Sequence, residues 1–267
     1  MFASLFGRSL HGKEMVTEFM DVNPLIIDKN LPLEKLSKLV TKEADLHMND
    51  DFIITDDGRY AGVGIVMRLL QKITDLQIRN ARHANPLTLL PGTVPLNERL
   101  ETLVREDTNF IVCYFDLDNF KPFNDAYGFS KGDEAIKLTA QILVESHNKE
   151  CDFVGHIGGD DFITLFLSAD WMAHCEFILK RFESEIIQLY DKQHLKGGGL
   201  WSKDRRGKKS FYPIMSLSIG AVEISPKNFD SYHDVASMAS NAKAMAKKMN
   251  GNSLFVDRRY KKSPDYP

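Results

Sequence analysis

The chain has 267 residues, 43% of them hydrophobic, enough to bury one good core and a smaller second one, so two domains are expected. Lys and Arg number 34 against 37 Asp and Glu, a net charge of −3, which argues against a dedicated nucleic-acid partner with its clustered basic face. Cys113, Cys151 and Cys175 are odd in number and scattered in apolar surroundings, the usage of a reducing cytoplasm, and no apolar run approaches the ~20 residues that span a bilayer.

At the N-terminus, Met1 to Arg8 contains no long apolar core followed by a cleavage site, so secretion is not indicated. Leu31 to Val40 reads as a short amphipathic helix with Pro32 at its start. Asp51 to Thr55 reads as a strand, Asp56-Asp57-Gly58 as a turn, Tyr60 to Val66 as a second strand, and Met67-Arg68-Leu69-Leu70 opens a helix. This β-turn-β pattern resembles a CBS motif. Such motifs work in pairs that bind adenine nucleotides between them. Residues 1–65 hold one reasonably complete copy, so the resemblance implies a regulatory region completed by a missing copy or by dimerisation; a purely structural adaptor is the competing reading. Gly62-Val63-Gly64 opens no dinucleotide-binding βαβ unit. Over residues 66–84, apolar positions at Val66, Leu69, Leu70, Ile73, Leu76 and Ile78 keep a mainly helical spacing that ends near Pro86, the pattern of a connecting helix.

Further along, Phe110-Ile111-Val112-Cys113-Tyr114-Phe115 reads as a buried strand ending at Asp116, with Asp118 at its exit. Phe153 to Ile157 meets Gly158-Gly159 and continues as Phe162 to Leu167, so the glycine pair lies where a two-residue hairpin turn with positive φ belongs. Asp160 and Asp161 then stand just beyond that turn. Bare glycine backbone permits close approach of a ligand, and carboxylate oxygens are what Mg²⁺ prefers while phosphates and water complete its shell. An ordinary solvated turn is the alternative, since Gly and Asp favour turns for conformational reasons alone.

The run Asp116-Leu117-Asp118-Asn119-Phe120-Lys121-Pro122-Phe123-Asn124-Asp125-Ala126-Tyr127-Gly128, then Gly132-Asp133, then Gly158-Gly159-Asp160-Asp161-Phe162, resembles the GGDEF family of diguanylate cyclases over residues 85–260. That resemblance implies condensation of two GTP, one on each of two facing domains, into cyclic di-GMP with release of pyrophosphate, in a homodimer formed at least transiently. It implies Mg²⁺ or Mn²⁺ on Asp116, the Leu117 carbonyl, Asp160 and Asp161, with Asp160 helping to activate the attacking 3′-hydroxyl. Asp161 stands where the family usually has Glu. Asn124 and Asp133 match the guanine-reading pair, whose amide and carboxylate suit an edge with both donors and acceptors. Lys121 and Lys247 match phosphate-contacting lysines.

The chain departs from the family at several positions. Ala244 replaces a usual tyrosine, and Asn250-Gly251-Asn252 stands for Gly-Arg-Asn, so a phosphate-binding arginine is missing at Gly251. A charge-assisted contact of that kind contributes roughly 1.5–3 kcal/mol. Arg258 or Arg259 is the candidate substitute. Lys149-Glu150-Cys151-Asp152 stands where many members carry Arg-x-x-Asp for product inhibition; Lys lacks the planar fork that pairs with phosphate and stacks on guanine, so a weak or absent inhibitory site is expected, with Lys149 and Asp152 as a solvated charge pair. Asn85-Pro86-Leu87-Thr88-Leu89-Leu90-Pro91 resembles the family's lead-in, with Asn85 replacing Asp. Gly197-Gly198-Gly199 opens an insertion whose basic run, Lys203 to Lys209, reads as a flexible solvated loop. His156 reads as a structural residue within a strand.

The CBS-like front and this insertion together resemble the module that follows EAL phosphodiesterase domains in larger bacterial proteins. No EAL domain lies in the chain, and its abrupt start predicts a piece of a longer protein. The expected fold is α+β: a nucleotidyl-cyclase-like domain with a mostly antiparallel central sheet, plus a small α/β N-terminal region. Strands are expected near 110–116, 152–157, 162–167, 213–224 and 253–256, and helices near 132–147, 170–190 and 232–249, the first with Asp133 in its opening turn. Two functions compete: a working cyclase, and a degenerate domain that binds GTP or dimerises to regulate a neighbour.

Overall fold

The computed structural model describes residues 13–18, 20–42, 51–203, 207–225 and 232–258. The chain divides into two compact units, Met1–Arg79 and Asn80–Pro267.

The first unit contains β1 (Ile26–Asp28), α1 (Leu33–Lys42), β2 (Phe52–Asp56), β3 (Arg59–Gly64) and most of α2 (Val66–His83). β2 and β3 form the expected hairpin, with Asp56 opposite Arg59. Both turn residues, Asp57 and Gly58, have positive φ, as a type I′ connection requires. β1 adds a parallel strand on β2 that periodicity does not announce, because three residues are too short to show any. Ile27, Leu36, Val40, Phe52, Val66 and Leu69 form the core. Gly64 is required there: a Cβ would lie 2.0 Å from the Phe52 ring.

The second unit runs α3 (Thr93–Arg105), β4 (Phe110–Asp118), α4 (Phe120–Tyr127), α5 (Phe129–Glu145), β5 (Phe153–Gly158), β6 (Asp161–Phe166), α6 (Trp171–Ile186), α7 (Lys192–Lys196), β7 (Gly199–Lys203), β8 (Lys209–Pro213), β9 (Ser216–Ile224), α8 (Tyr232–Ala246) and β10 (Ser253–Asp257). The central sheet has the order β10-β9-β4-β6-β5, antiparallel except for the β10–β9 pair, as expected. β4 is covered on both faces, which is why it reads as an unbroken apolar run. Cys113, Phe115 and Leu117 enter one core with Phe123, Ile142 and Phe182, while Phe110 and Val112 enter another with Leu100, Val235 and Ala242.

Several expectations are corrected. α5 begins at Phe129, so Asp133 lies beyond its first turn; Gly128, at φ +86, redirects the chain so that α5 follows α4 immediately. The strand expected near 213–224 is β9, which begins at Ser216; Pro213 instead ends β8, which pairs with β7 in a separate two-stranded sheet. The insertion therefore carries an antiparallel strand pair, β7 with β8, and its residues 204–206 lie outside the described residues. α3, which no expectation covered, buries Leu96, Leu100 and Leu103 at helical spacing. The stretch at 170–190 is α6 followed by a 3₁₀ turn over Ile187–Leu189. Met1 to Arg8 and Arg259 also fall outside the described residues; Arg258 is exposed.

Candidate functional site

The site begins at the end of β4. Register places Asp116 opposite Asp161 of β6 on one side and Ser218 of β9 on the other. Asp116 is 4% exposed, and burial pushes its carboxyl up to about 6 although Lys247 and Lys243 pull it down. The Lys243 ammonium lies 2.7 Å from Asp161 Oδ1 and 3.4 Å from Asp116 Oδ1, and Lys247 pairs with Asp116 Oδ2. Two adjacent carboxylates thus already share one cation. Lys243 also sits 4.4 Å from the centre of the Tyr114 ring.

α8 can deliver Lys243 to this point because β9 carries Gly220 beneath it. A Cβ at Gly220 would stand 2.1 Å from the Lys243 backbone nitrogen, so only glycine lets helix and strand approach this closely. Ala239, Ala242 and Ala246 are fully buried along the same helix. Lys247 prolongs the last turn, its N–H donating to the Lys243 carbonyl at 3.0 Å. Lysines at a helix C-terminus are also favoured by the macrodipole.

Asp160 comes from the β5–β6 connection. The two-residue turn is Gly159-Asp160 rather than the glycine pair: Gly158 is the last residue of β5 and pairs with Asp161. Gly159 has φ +58 and Asp160 is not in the positive-φ region, so glycine occupies the first central position, as a type II′ turn requires. Asp160 is consequently at the tip, not beyond it. His156 holds this turn from below. Its Nε2–H donates to the Gly159 carbonyl at 3.0 Å, its Nδ1 accepts from the Thr88 hydroxyl at 2.9 Å, and its ring stacks on Phe162 at 4.2 Å. Burial holds His156 below its ordinary pKa, in keeping with this neutral tautomer.

A cavity of about 300 Å³ opens beside these elements, lined by Leu117, Lys121, Asp160, Lys203, Tyr212 and Lys247 among others. Lys121 belongs to α4, which starts directly after β4 because Asn119 adopts φ +62, a conformation asparagine tolerates. Asn124 and Asp133 do not line this cavity. They lie at the α4–α5 junction, where a Cβ on Gly132 would come 1.8 Å from Asn124 Oδ1; that oxygen is buried without a hydrogen-bond partner among the described residues, and Asp133 is exposed. A second cavity, of about 690 Å³, shares Lys247 and is bordered by Asp118 and Gly251.

Reasoning from sequence missed Lys243, whose i,i+4 spacing from Lys247 was the available signal. It also left Asp118 without a role; that carboxylate accepts from Ser218 at 2.7 Å and Ser216 at 2.9 Å, which fastens β4 to β9. Asn252, beside Gly251, accepts from the Leu217 N–H at 2.7 Å and donates to the Leu179 carbonyl at 3.2 Å. The Lys149 and Asp152 reading is corrected. Asp152 accepts from the N–H groups of Asn148, Leu167 and Ser168 and from the Ser168 hydroxyl at 2.8–3.0 Å, and among the described residues no ion pair joins it to Lys149. Burial raises the Asp152 carboxyl, but these backbone donors outweigh it and leave a net lowering.

The described residues contain no ready-made group of three or more His, Cys, Asp or Glu side chains that could hold a metal ion. The donor chemistry nevertheless fits a hard divalent cation: Asp116 and Asp161 already hold one positive group between them, and Mg²⁺ needs only one or two carboxylates when phosphates and water supply the rest.

Residues 82–198 match the family described as diguanylate cyclase, GGDEF domain. This stretch is a GGDEF domain. Its match leaves the first unit unassigned. The bifunctional diguanylate cyclase/cyclic di-GMP phosphodiesterase MucR of Pseudomonas aeruginosa is 32% identical over 135 residues, which is 48% of this chain and 19% of MucR. The signaling protein YkoW of Bacillus subtilis is 24% identical over 261 residues, 90% of this chain and 30% of YkoW. The chain therefore spans less than a third of either relative. Among solved structures, diguanylate cyclase SiaD with its activator SiaC, from Pseudomonas aeruginosa, has a TM-score of 0.54 at 18% identity, covering 84% of this chain and 73% of SiaD. The coiled coil and GGDEF domain of DgcB from Caulobacter crescentus, in complex with c-di-GMP, has a TM-score of 0.51 at 19% identity, covering 84% of this chain and 100% of that one. At these identities the likeness is one of fold. No helix among the described residues is long and apolar enough to cross a membrane.

Proposed function

We propose that the GGDEF domain condenses two GTP into cyclic di-GMP, releasing pyrophosphate, as part of bacterial second-messenger signalling in the cytoplasm. The observation that carries this reading is the convergence of Asp116, Asp160 and Asp161 with Lys121 and Lys247 at adjoining strand ends beside one cavity. Asp116, Asp160, Asp161 and the Leu117 carbonyl would hold Mg²⁺ or Mn²⁺. When bound, that ion supplies charge neutralisation on the phosphates. Lys121 and Lys247 bind phosphate oxygens, and Gly158 and Gly159 leave the backbone bare for their approach. Asp160, free at the turn tip, is placed to take the 3′-hydroxyl proton. Asn124 offers its unpaired Oδ1, with Asp133 nearby, to the guanine edge. Phosphoryl transfer asks chiefly for such positioning and charge stabilisation.

Each domain holds one GTP, so two copies must face each other. Residues 1–65 act as the regulatory region, with an adenine nucleotide as candidate ligand; residues 66–84 connect; residues 85–260 carry the chemistry. The second reading, a GTP-binding or dimerisation module that regulates a neighbour, is favoured by one observation: Gly251 has φ +72, so the arginine absent there is not readily accommodated in this backbone. Incubation of the purified chain with GTP and Mg²⁺ or Mn²⁺, with chromatography of products beside Asp160→Ala, separates the two. Cyclic di-GMP from the parent alone supports the cyclase. No product from a protein that binds GTP and dimerises supports the regulatory module.

A further inference from the structure

The inserted hairpin brings Lys203 and Tyr212 to the cavity that also receives Asp160, Lys121 and Lys247. The hairpin is rooted in the protein: Leu200 is 2% exposed within the larger core, Tyr212 packs against that core, and β7 packs against α4. β7 and β8 meet so closely that a Cβ on Gly199 would lie 2.1 Å from the Tyr212 carbonyl oxygen. The root of β7 is therefore held by the same elements that place Lys121.

The three ammonium groups at this cavity are engaged differently. Lys247 is paired with Asp116, whereas Lys121 and Lys203 form no ion pair among the described residues. Gly251 contributes no side chain and borders an open cavity of about 690 Å³. A nucleoside triphosphate entering beside Asp160 would thus meet a cation from the hairpin and none from residue 251. We propose that Lys203 is a triphosphate-binding residue, through which the insertion supplies the positive charge that Gly251 does not, making the site selective for triphosphates over the bare nucleoside. This rests on reading the site as a GTP site.

The test measures binding of a non-hydrolysable GTP analogue with Mg²⁺, and of guanosine, to the full chain by calorimetry. Lys203→Met is expected to bind the analogue about tenfold more weakly, the effect of one lost charge-assisted contact, and to bind guanosine like the parent. Lys209→Met removes the same charge from the same hairpin, but that ammonium sits over the Trp201 ring at 5.6 Å from its centre, and this variant is expected to match the parent. Lys203→Arg, which keeps the charge, is expected to bind like the parent and guards against a folding artefact in the Met variant. Unchanged analogue affinity in Lys203→Met, or an equal loss in Lys209→Met, overturns the role of Lys203 while leaving the GTP site standing. A parent that binds neither ligand overturns the GTP reading and this inference together.

Discussion

Asp116 is buried and Asp152 partly exposed, and the two are neutralised in opposite ways. Asp116 faces two lysine ammonium groups, whose long flexible stems can be exchanged for another cation or turned toward an anion. Asp152 is held by three backbone N–H groups and a hydroxyl, donors that cannot move without parting the segment before β5 from the segment that follows β6. A carboxylate balanced by side chains remains available to a ligand, and one balanced by backbone does not. The contrast separates the strand-end corner, where the counter-charges are displaceable side chains, from Asp152, which serves as a structural tie.

Four substitutions sharpen or break this contrast. Asp160→Ala, at a turn tip where the side chain makes no hydrogen bond or ion pair among the described residues, is expected to cut cyclic di-GMP formation by roughly 100-fold or more, as loss of a principal charge-stabilising group does, with an unchanged melting curve. Asp152→Ala should do the reverse: about 3 kcal/mol lost in denaturant unfolding, from several orphaned donors, with activity per folded molecule retained. A large activity loss in the folded fraction would show that the two acids are not separate in function.

The pH dependence of Asp116 comes next. Its folded pKa, raised to about 6, exceeds that of the unfolded chain, so the folded state binds the proton more tightly. Stability from this group is therefore present below pH ~4 and lost as pH rises through about 6, by on the order of 2–3 kcal/mol in the metal-free protein. Asp116→Asn should flatten that decline in urea titrations from pH 4 to 7; a decline of the same size in the variant would place its origin elsewhere. The smallest effect is expected from Gly251→Arg, which should cost roughly 1 kcal/mol because φ +72 is strained for any Cβ-bearing residue. A gain in stability would mean that the loop relaxes around the new side chain.

Much of this arrangement was legible in the residues. β4 announced itself because a strand buried on both faces must be apolar throughout, and the hairpin of Asp57 and Gly58 because positive φ selects those residue types. α3 went unread because only three buried leucines, Leu96, Leu100 and Leu103, mark it among polar neighbours, and β1 because three residues carry no period. The insertion looked like a loop because a short polar hairpin with glycines at its base has loop composition; Leu200 and Tyr212 become core residues only once the rest of the domain stands beneath them.

By itself the sequence determined which residue types were present in which order: acids at strand ends, glycines at the β5–β6 connection, lysines one helical turn apart. Tertiary structure alone decided which charges meet. Lys243 reaches Asp116 and Asp161 across more than 80 residues only because Gly220 lets α8 settle against β9, and Lys203 reaches the cavity only because its hairpin is anchored in the core. Local preference sets the shape of each element, but electrostatic partnership is a matter of distance in space, and that distance is fixed by packing.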